Sequence, residues 1–266
     1  MGKKLVSVLV PAALAVCLIL ANGCGAYNPN GTGGGTGGTD TGQAQGFYIL
    51  QLQSGPTLAA LITPTDQFWG MLGTSSISSF SVTGLATGQG TSTTSGYSGT
   101  LTAFSSSGVS FTDTIAATDV ANSSMSGTFT INGVQTGIGG VALPTATYSY
   151  GTAATVASIT AVSSNWSGSL LDGTSLAISI AASGTISPAA ATGCQVVASS
   201  SSITPDSSNK NFYDVQLTFG LSPCSLAGQT VKGIGLFYLL PDGVTHQLLL
   251  AGTAGTSTGT VFFATH

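Results

Sequence analysis

Apolar residues in this chain recur at every second position, in short blocks broken by Gly, Asn, Asp and Ser. That period places them on one face of an extended strand and the intervening polar residues on the other. In Phe212–Phe219, residues Tyr213, Val215, Leu217 and Phe219 share one face, and Asp214, Gln216 and Thr218 take the other. Leu176, Ile178 and Ile180 repeat the pattern. Met125 to Ile138 reads as a hairpin around Asn132-Gly133, a pair that tolerates the positive φ values of a tight type I′ turn. Leu171-Asp172-Gly173-Thr174 and Pro241-Asp242-Gly243 predict two further hairpin turns. Ile234–Leu240 and Leu248–Leu250 are apolar on both faces, which predicts strands covered on each side. Runs of good helix formers are scarce, and Ala153–Ala161 is the one helix candidate.

The predicted class is therefore all-β. Many short strands at close spacing fit small antiparallel barrels or sandwich-like lobes, and closure would also remove exposed strand edges. The pattern divides near Leu143–Ala153, giving an N-terminal lobe over 47–150 and a C-terminal lobe over 151–266. Phe68-Trp69-Gly70 and Asn165-Trp166-Ser167-Gly168 each set a tryptophan on an early strand, too slight a likeness to count as a repeat.

The first residues have a different pattern. Lys3 and Lys4 precede Leu5–Leu20, which is apolar apart from Ser7, and Ala21-Asn22-Gly23-Cys24 follows. A short positive region, an apolar run and a small-residue exit make a secretory signal. The run falls short of the roughly 20 residues of a membrane-crossing helix. A cysteine directly after Gly23 resembles the lipobox of bacterial lipoproteins. The resemblance implies a signal peptide over 1–23 and Cys24 as the lipidated, palmitate-bearing N-terminus, with the membrane as a partner through that lipid. Residues 24–46 are mostly Gly, Thr, Asn and Gln, with nothing to bury, and read as a flexible tether. Their Gly-rich run lacks the Lys-Ser/Thr of a phosphate-binding loop. Gly25 after the cysteine resembles lipoproteins sorted to the outer membrane, so the expected location is the cell envelope.

Composition narrows the partners. Only 5% of residues are charged, and the chain has no Arg and no Glu. Lys210 and Lys232 are the only cations of the body, against eight aspartates. Phosphate recognition draws on Lys and Arg, so nucleic acids and nucleotides are excluded as partners. The mean hydropathy of +0.42 comes with no second long apolar run. It reflects Ala, Val and Leu spread through a Ser/Thr background.

Cys194 and Cys224 are the only cysteines of the body. In an oxidising envelope they are expected to form one disulfide. A metal site or a reactive thiol would need nearby partners, and neither cysteine has a neighbouring His or a CxxC spacing. Gly193-Cys194, Ser202-Ile203-Thr204-Pro205, Asn209–Val215, Leu217–Gly220 and Pro223–Thr230 follow one another in an order that resembles the C-terminal lobe of uncharacterised proteobacterial β-rich lipoproteins. Trp166-Ser167-Gly168 and Val261-Phe262-Phe263 match the ends of that lobe. The resemblance covers about 164–266 and only loosely the N-terminal lobe. It implies a small barrel with a Cys194–Cys224 bond, and it carries no activity.

Candidate chemistry is sparse. Gly255-Thr256-Ser257-Thr258-Gly259 matches G-x-S-x-G, but that motif needs a strand-to-helix turn followed by an acid and a His, and no acid follows Ser257. His246 reads as a strand-surface residue, and Asp172 and Asp242 as turn residues. Asp214 and Lys210 lie too far apart along a strand to pair. With two histidines and no Glu or Arg, neither an acid/base constellation nor a metal site has enough members. No catalytic, cofactor or metal residue is expected. The expectation is a non-catalytic, lipid-anchored envelope protein of structural or binding role, with a protein or glycan ligand. The alternative is a carbohydrate-binding or carbohydrate-active protein, with Trp69, Trp166 and Tyr97 stacking on sugars if exposed and scattered aspartates for chemistry.

Overall fold

The computed structural model describes residues 44–266 apart from 95, 109, 121–122, 132, 143–149 and 151–155. The signal peptide, Cys24 and most of the tether lie outside the described residues.

Eight strands form the first lobe: β1 (Gly46–Leu52), β2 (Thr57–Ile62), β3 (Gln67–Ser75), β4 (Phe80–Thr93), β5 (Gly96–Ser105), β6 (Ser110–Val120), β7 (Ser124–Ile131) and β8 (Val134–Ala142). Each pairs antiparallel with the next, and β8 returns to β1 through Tyr48↔Ala142 to Leu52↔Ile138, closing a barrel. The alternation explains the closure. Tyr48, Leu50, Leu58, Ala60, Ile62, Phe68, Tyr97, Leu101, Ile115, Met125 and Phe129 point inward as one core. On the far wall the outward positions are hydroxylic, with Thr114 and Thr130 hydrogen-bonded across the surface at 2.9 Å. Apolar inside and polar outside is the reverse of a lipid-spanning barrel. The Met125–Ile138 hairpin forms in the expected register, Ile131↔Val134, with Gly133 at φ 78°. Asn132 lies outside the described residues.

The second lobe is an eight-stranded sheet of β9 (Asn165–Ser169), β10 (Ser175–Ile180), β11 (Ile186–Pro188), β12 (Ser202–Pro205), β13 (Tyr213–Thr218), β14 (Thr230–Leu239), β15 (His246–Ala254) and β16 (Thr258–Thr265). Its order is β11-β10-β9-β16-β15-β14-β13-β12. The sheet curls until its ends meet: Thr185 bridges Ser202, and Ile203 N–H donates to Gly184 O at 2.8 Å. The result is barrel-like, so the two-lobed all-β expectation holds. Tyr213, Val215, Leu217 and Phe219 all face its core, as do Leu176, Ile178 and Ile180. Both expected turns are present, with Gly173 at φ 85° and Gly243 at φ 74°, values that penalise any residue bearing a Cβ.

The predicted helix at Ala153–Ala161 is corrected to one turn, α1 (Ile159–Val162). Residues 153–155 lie outside the described residues. Ala157 N–H is spent on Lys210 O at 3.4 Å, so the chain there is not helical, and the Ser158 side chain caps nothing. Beyond the turn, the Trp166 indole donates to Val162 O at 2.9 Å, which supplies a partner for a terminal carbonyl.

A third core joins the lobes. Phe47, Leu61, Trp69, Met71, Val82, Leu85 and Phe104 on the outside of the barrel pack on Ile234, Leu236, Tyr238, Leu249 and Val261. Strand β15 thus sends Leu248 and Leu250 into its own lobe and Leu249 and Ala251 toward the barrel. This accounts for the two-faced apolar strands of the sequence. Gln247, 1% exposed, supports the joint: its Oε1 accepts from Phe80 N–H at 3.1 Å, and its Nε2 donates to Ala264 O at 3.1 Å.

Candidate interlobe binding cleft

Where the apolar joint ends, the two lobes diverge into a cleft of about 580 Å³. One wall is the β2–β3 turn, Thr63 to Gln67, together with Trp69. The floor is the outward face of β12, β13, β14 and β15. Strand registry fixes its layout: Asp214 lies between Thr204 and Ile234, Gln216 between Ser202 and Lys232, and Lys232 faces Thr253. The same face that is apolar at Ile234 and Leu236 becomes polar at Lys232. A single strand therefore serves as joint at one end and as cleft floor at the other.

Asp206 closes the cleft at the β12–β13 turn, where its carboxylate accepts from Ser208 N–H at 2.8 Å and from the Ser208 hydroxyl. Asp214 is pushed above the ordinary carboxylate range, first by burial and then by the charge of Asp206. Across the cleft, Trp69 is buried against Gly233, whose absent side chain makes room for the ring: a Cβ there would sit 2.7 Å from Trp69 Cη2 and 2.2 Å from Ala251 O. Among the described residues the Trp69 indole N–H is buried without an acceptor. An unpaired buried donor costs about 1–3 kcal/mol. Lys210 Nζ sits 5.6 Å over the Tyr150 ring. Tyr150 is held well above its usual range by burial, then by Asp206 and Tyr48, and its hydroxyl donates to Ile62 O at 3.1 Å.

The other sequence candidates fall elsewhere. Cys194 and Cys224 form the expected disulfide, with Cα atoms 4.5 Å apart. It fastens the β11–β12 crossing to the β13–β14 loop, where Gly220 N–H also donates to Gln195 O at 2.8 Å. Ser257 occupies an exposed turn of the β15–β16 hairpin, not a strand-to-helix elbow. His246 stacks flat on Phe237 at 4.8 Å, and His266 lies 5.4 Å from Trp166. Asp172 and Asp242 accept from backbone N–H groups within their own turns. Trp69, Trp166 and Tyr97 are each at most 3% exposed, so the sugar-stacking expectation is corrected: all three rings are core, and none offers a face to a glycan. Among the described residues, no group of three or more His, Cys, Asp or Glu gathers at one place.

Sequence reasoning read the polar face of β13 correctly but missed the cleft that this face floors. The available signal was the agreement in parity between Asp214 and Gln216 and the polar positions Ser202, Thr204 and Lys232 on neighbouring strands. The chain matches no family model, no curated protein and no solved structure.

Proposed function

We propose that this protein is a non-catalytic envelope lipoprotein, held to the outer membrane through lipidated Cys24, that presents the interlobe cleft to an uncharged or weakly cationic ligand. The observation that carries the binding role is the cleft itself: polar side chains fixed on rigid strands surround a buried indole donor that lacks an acceptor. Junctions between lobes are preferred ligand sites. The anchor and envelope location rest on the lipobox and on the Gly/Thr run after it. A panel of neutral oligosaccharides and uncharged peptides, titrated against the chain, tests the binding role. At least one compound should bind, and Thr204→Trp, which fills the floor, should abolish that binding. Binding unaffected by Thr204→Trp would move the function away from the cleft.

A second reading, a carbohydrate-active protein, is favoured by one observation. Asp206 and Asp214 both line the cleft, and two carboxyl groups facing one cleft are the groups that glycoside hydrolysis needs. Release of reducing ends from the same oligosaccharides, lost in Asp214→Asn, would establish it. The non-catalytic reading predicts none.

A further inference from the structure

Both histidines of the chain stand on one rung of the second lobe. Strands β15 and β16 pair through Gln247↔Thr265, which places His246 directly opposite His266. The two residues close the ladder by exchanging backbone hydrogen bonds, His246 N–H to His266 O and His266 N–H to His246 O, each 3.0 Å. Directly opposite residues of an antiparallel pair project from the same face. Here that face is the inner one. His246 shares parity with Leu248 and Leu250, and His266 with Phe262 and Ala264, all of which enter the core of the lobe. The pair therefore sits at the rim of that core, with His246 half-buried and His266 exposed.

Core aromatics hold both rings. His246 lies flat on Phe237, with 5° between the planes, and His266 packs on Trp166, which meets Phe237 edge-on at 6.0 Å. Stacking covers the face of the His246 imidazole, whereas a metal ion binds through nitrogens in the ring plane. Ser164 Oγ stands 3.4 Å from His266 Nε2, and a metal-ligating histidine ordinarily directs its second ring nitrogen to such an oxygen. That leaves His266 Nδ1 for an ion. Asp242, kept ionised by hydrogen bonds from Thr245 and Val244 within its own turn, acts electrostatically on His246 and adds negative charge beside the pair. Like charges directly opposite each other destabilise a sheet, so two facing histidines are a poor structural choice once both are protonated.

We propose that His246 and His266 form a chelating site for a divalent transition-metal ion of the copper, nickel and zinc class. Imidazole suits these ions. Cβ atoms about 4.5–5.5 Å apart across the strands let two imidazoles turn to one ion at roughly 2.0–2.1 Å. A closed structural zinc site has four protein ligands; with two, water completes the coordination and the ion exchanges. Nothing local in the sequence marks this rung, because strand pairing joins two histidines that lie apart along the chain. None of these residues lines the interlobe cleft, so the site stands independently of the binding role proposed there.

The test is titration of the full chain in phosphatidylcholine nanodiscs with nickel chloride, read by calorimetry and by tryptophan fluorescence, since an ion on His266 lies beside Trp166. One histidine-dependent ion should bind per chain and quench the fluorescence. His246→Ala and His266→Ala should each weaken binding about tenfold or more and remove the quenching, because the second imidazole of a chelate binds intramolecularly. Both substitutions keep the backbone hydrogen bonds of the rung. If circular dichroism shows His246→Ala unfolded, His246→Gln takes its place. No binding, one ion per two chains, binding without quenching, or binding that survives either substitution would each overturn the site.

Discussion

At the scale of single residues, close approach and buried charge decide most of what can be tested. Gly233 is where β14 meets both β15 and the barrel, and Gly233→Ala places a methyl 2.2 Å from Ala251 O, a backbone atom that cannot step aside. Overpacking of this kind costs about 1–3 kcal/mol. The urea midpoint should fall accordingly, and an unchanged midpoint would mean that the lobes are not packed here as described. Asp214 and Asp119 have raised proton affinity through burial, with Asp206 adding to Asp214. Each binds its proton more readily folded than unfolded, so its stabilising contribution is complete at low pH and is lost as pH rises through the raised folded value. Asp172 runs the other way: burial opposes its ionisation, but hydrogen bonds from Ser225 and Thr174 outweigh burial and lower it. Its contribution is present above the ordinary carboxylate range and is lost on acidification. Melting temperature should therefore peak on the mildly acidic side, and Asp214→Asn should flatten the decline toward neutral pH. A decline as steep in Asp214→Asn as in the parent would remove Asp214 from that account.

At the scale of elements, local alternation was legible and non-local pairing was not. Tyr213, Val215 and Leu217 were readable as an inward face because a strand repeats every two residues whatever it pairs with. The Gly173 and Gly243 turns were readable because positive φ demands glycine. Closure of β8 onto β1 left no local mark, and neither did the docking of Trp69 and Phe104 on the second lobe, since an outward apolar residue looks the same in sequence as an inward one. The burial of Asp113, 1% exposed, had a local signal: Phe111, Asp113 and Ile115 share parity, which sets this acid on an apolar face. The predicted helix failed because Ala-rich sequence is helix-permissive, while tertiary pairing at Ala157 decided the outcome. The disulfide closes a sequence separation of 30, worth roughly 3–4 kcal/mol in the chain-entropy model. Cys194→Ala with Cys224→Ala should lower unfolding free energy by that order, and reductant should then have no further effect. Gln247→Leu would strand Phe80 N–H inside the joint at a cost of about 1–3 kcal/mol. It should loosen the lobes first, separating one unfolding transition into two in calorimetry.

At the scale of the whole molecule, a separate apolar core joins the two lobes, with the cleft at one side of that joint. The cleft floor is built on strands, and the Ser/Thr-rich chain around it carries little charge. Such a body is suited to holding a small ligand in a fixed geometry. The proposal that unites these features is attachment at Cys24, because the envelope reading of the cysteines, the tether and the ligand classes all depend on it. The most direct test is incorporation of radiolabelled palmitate in the producing bacterium by the parent chain and by Cys24→Ala. Label on the parent that is absent from Cys24→Ala is the predicted result. A parent chain without label, or label that persists in Cys24→Ala, would contradict the lipoprotein account.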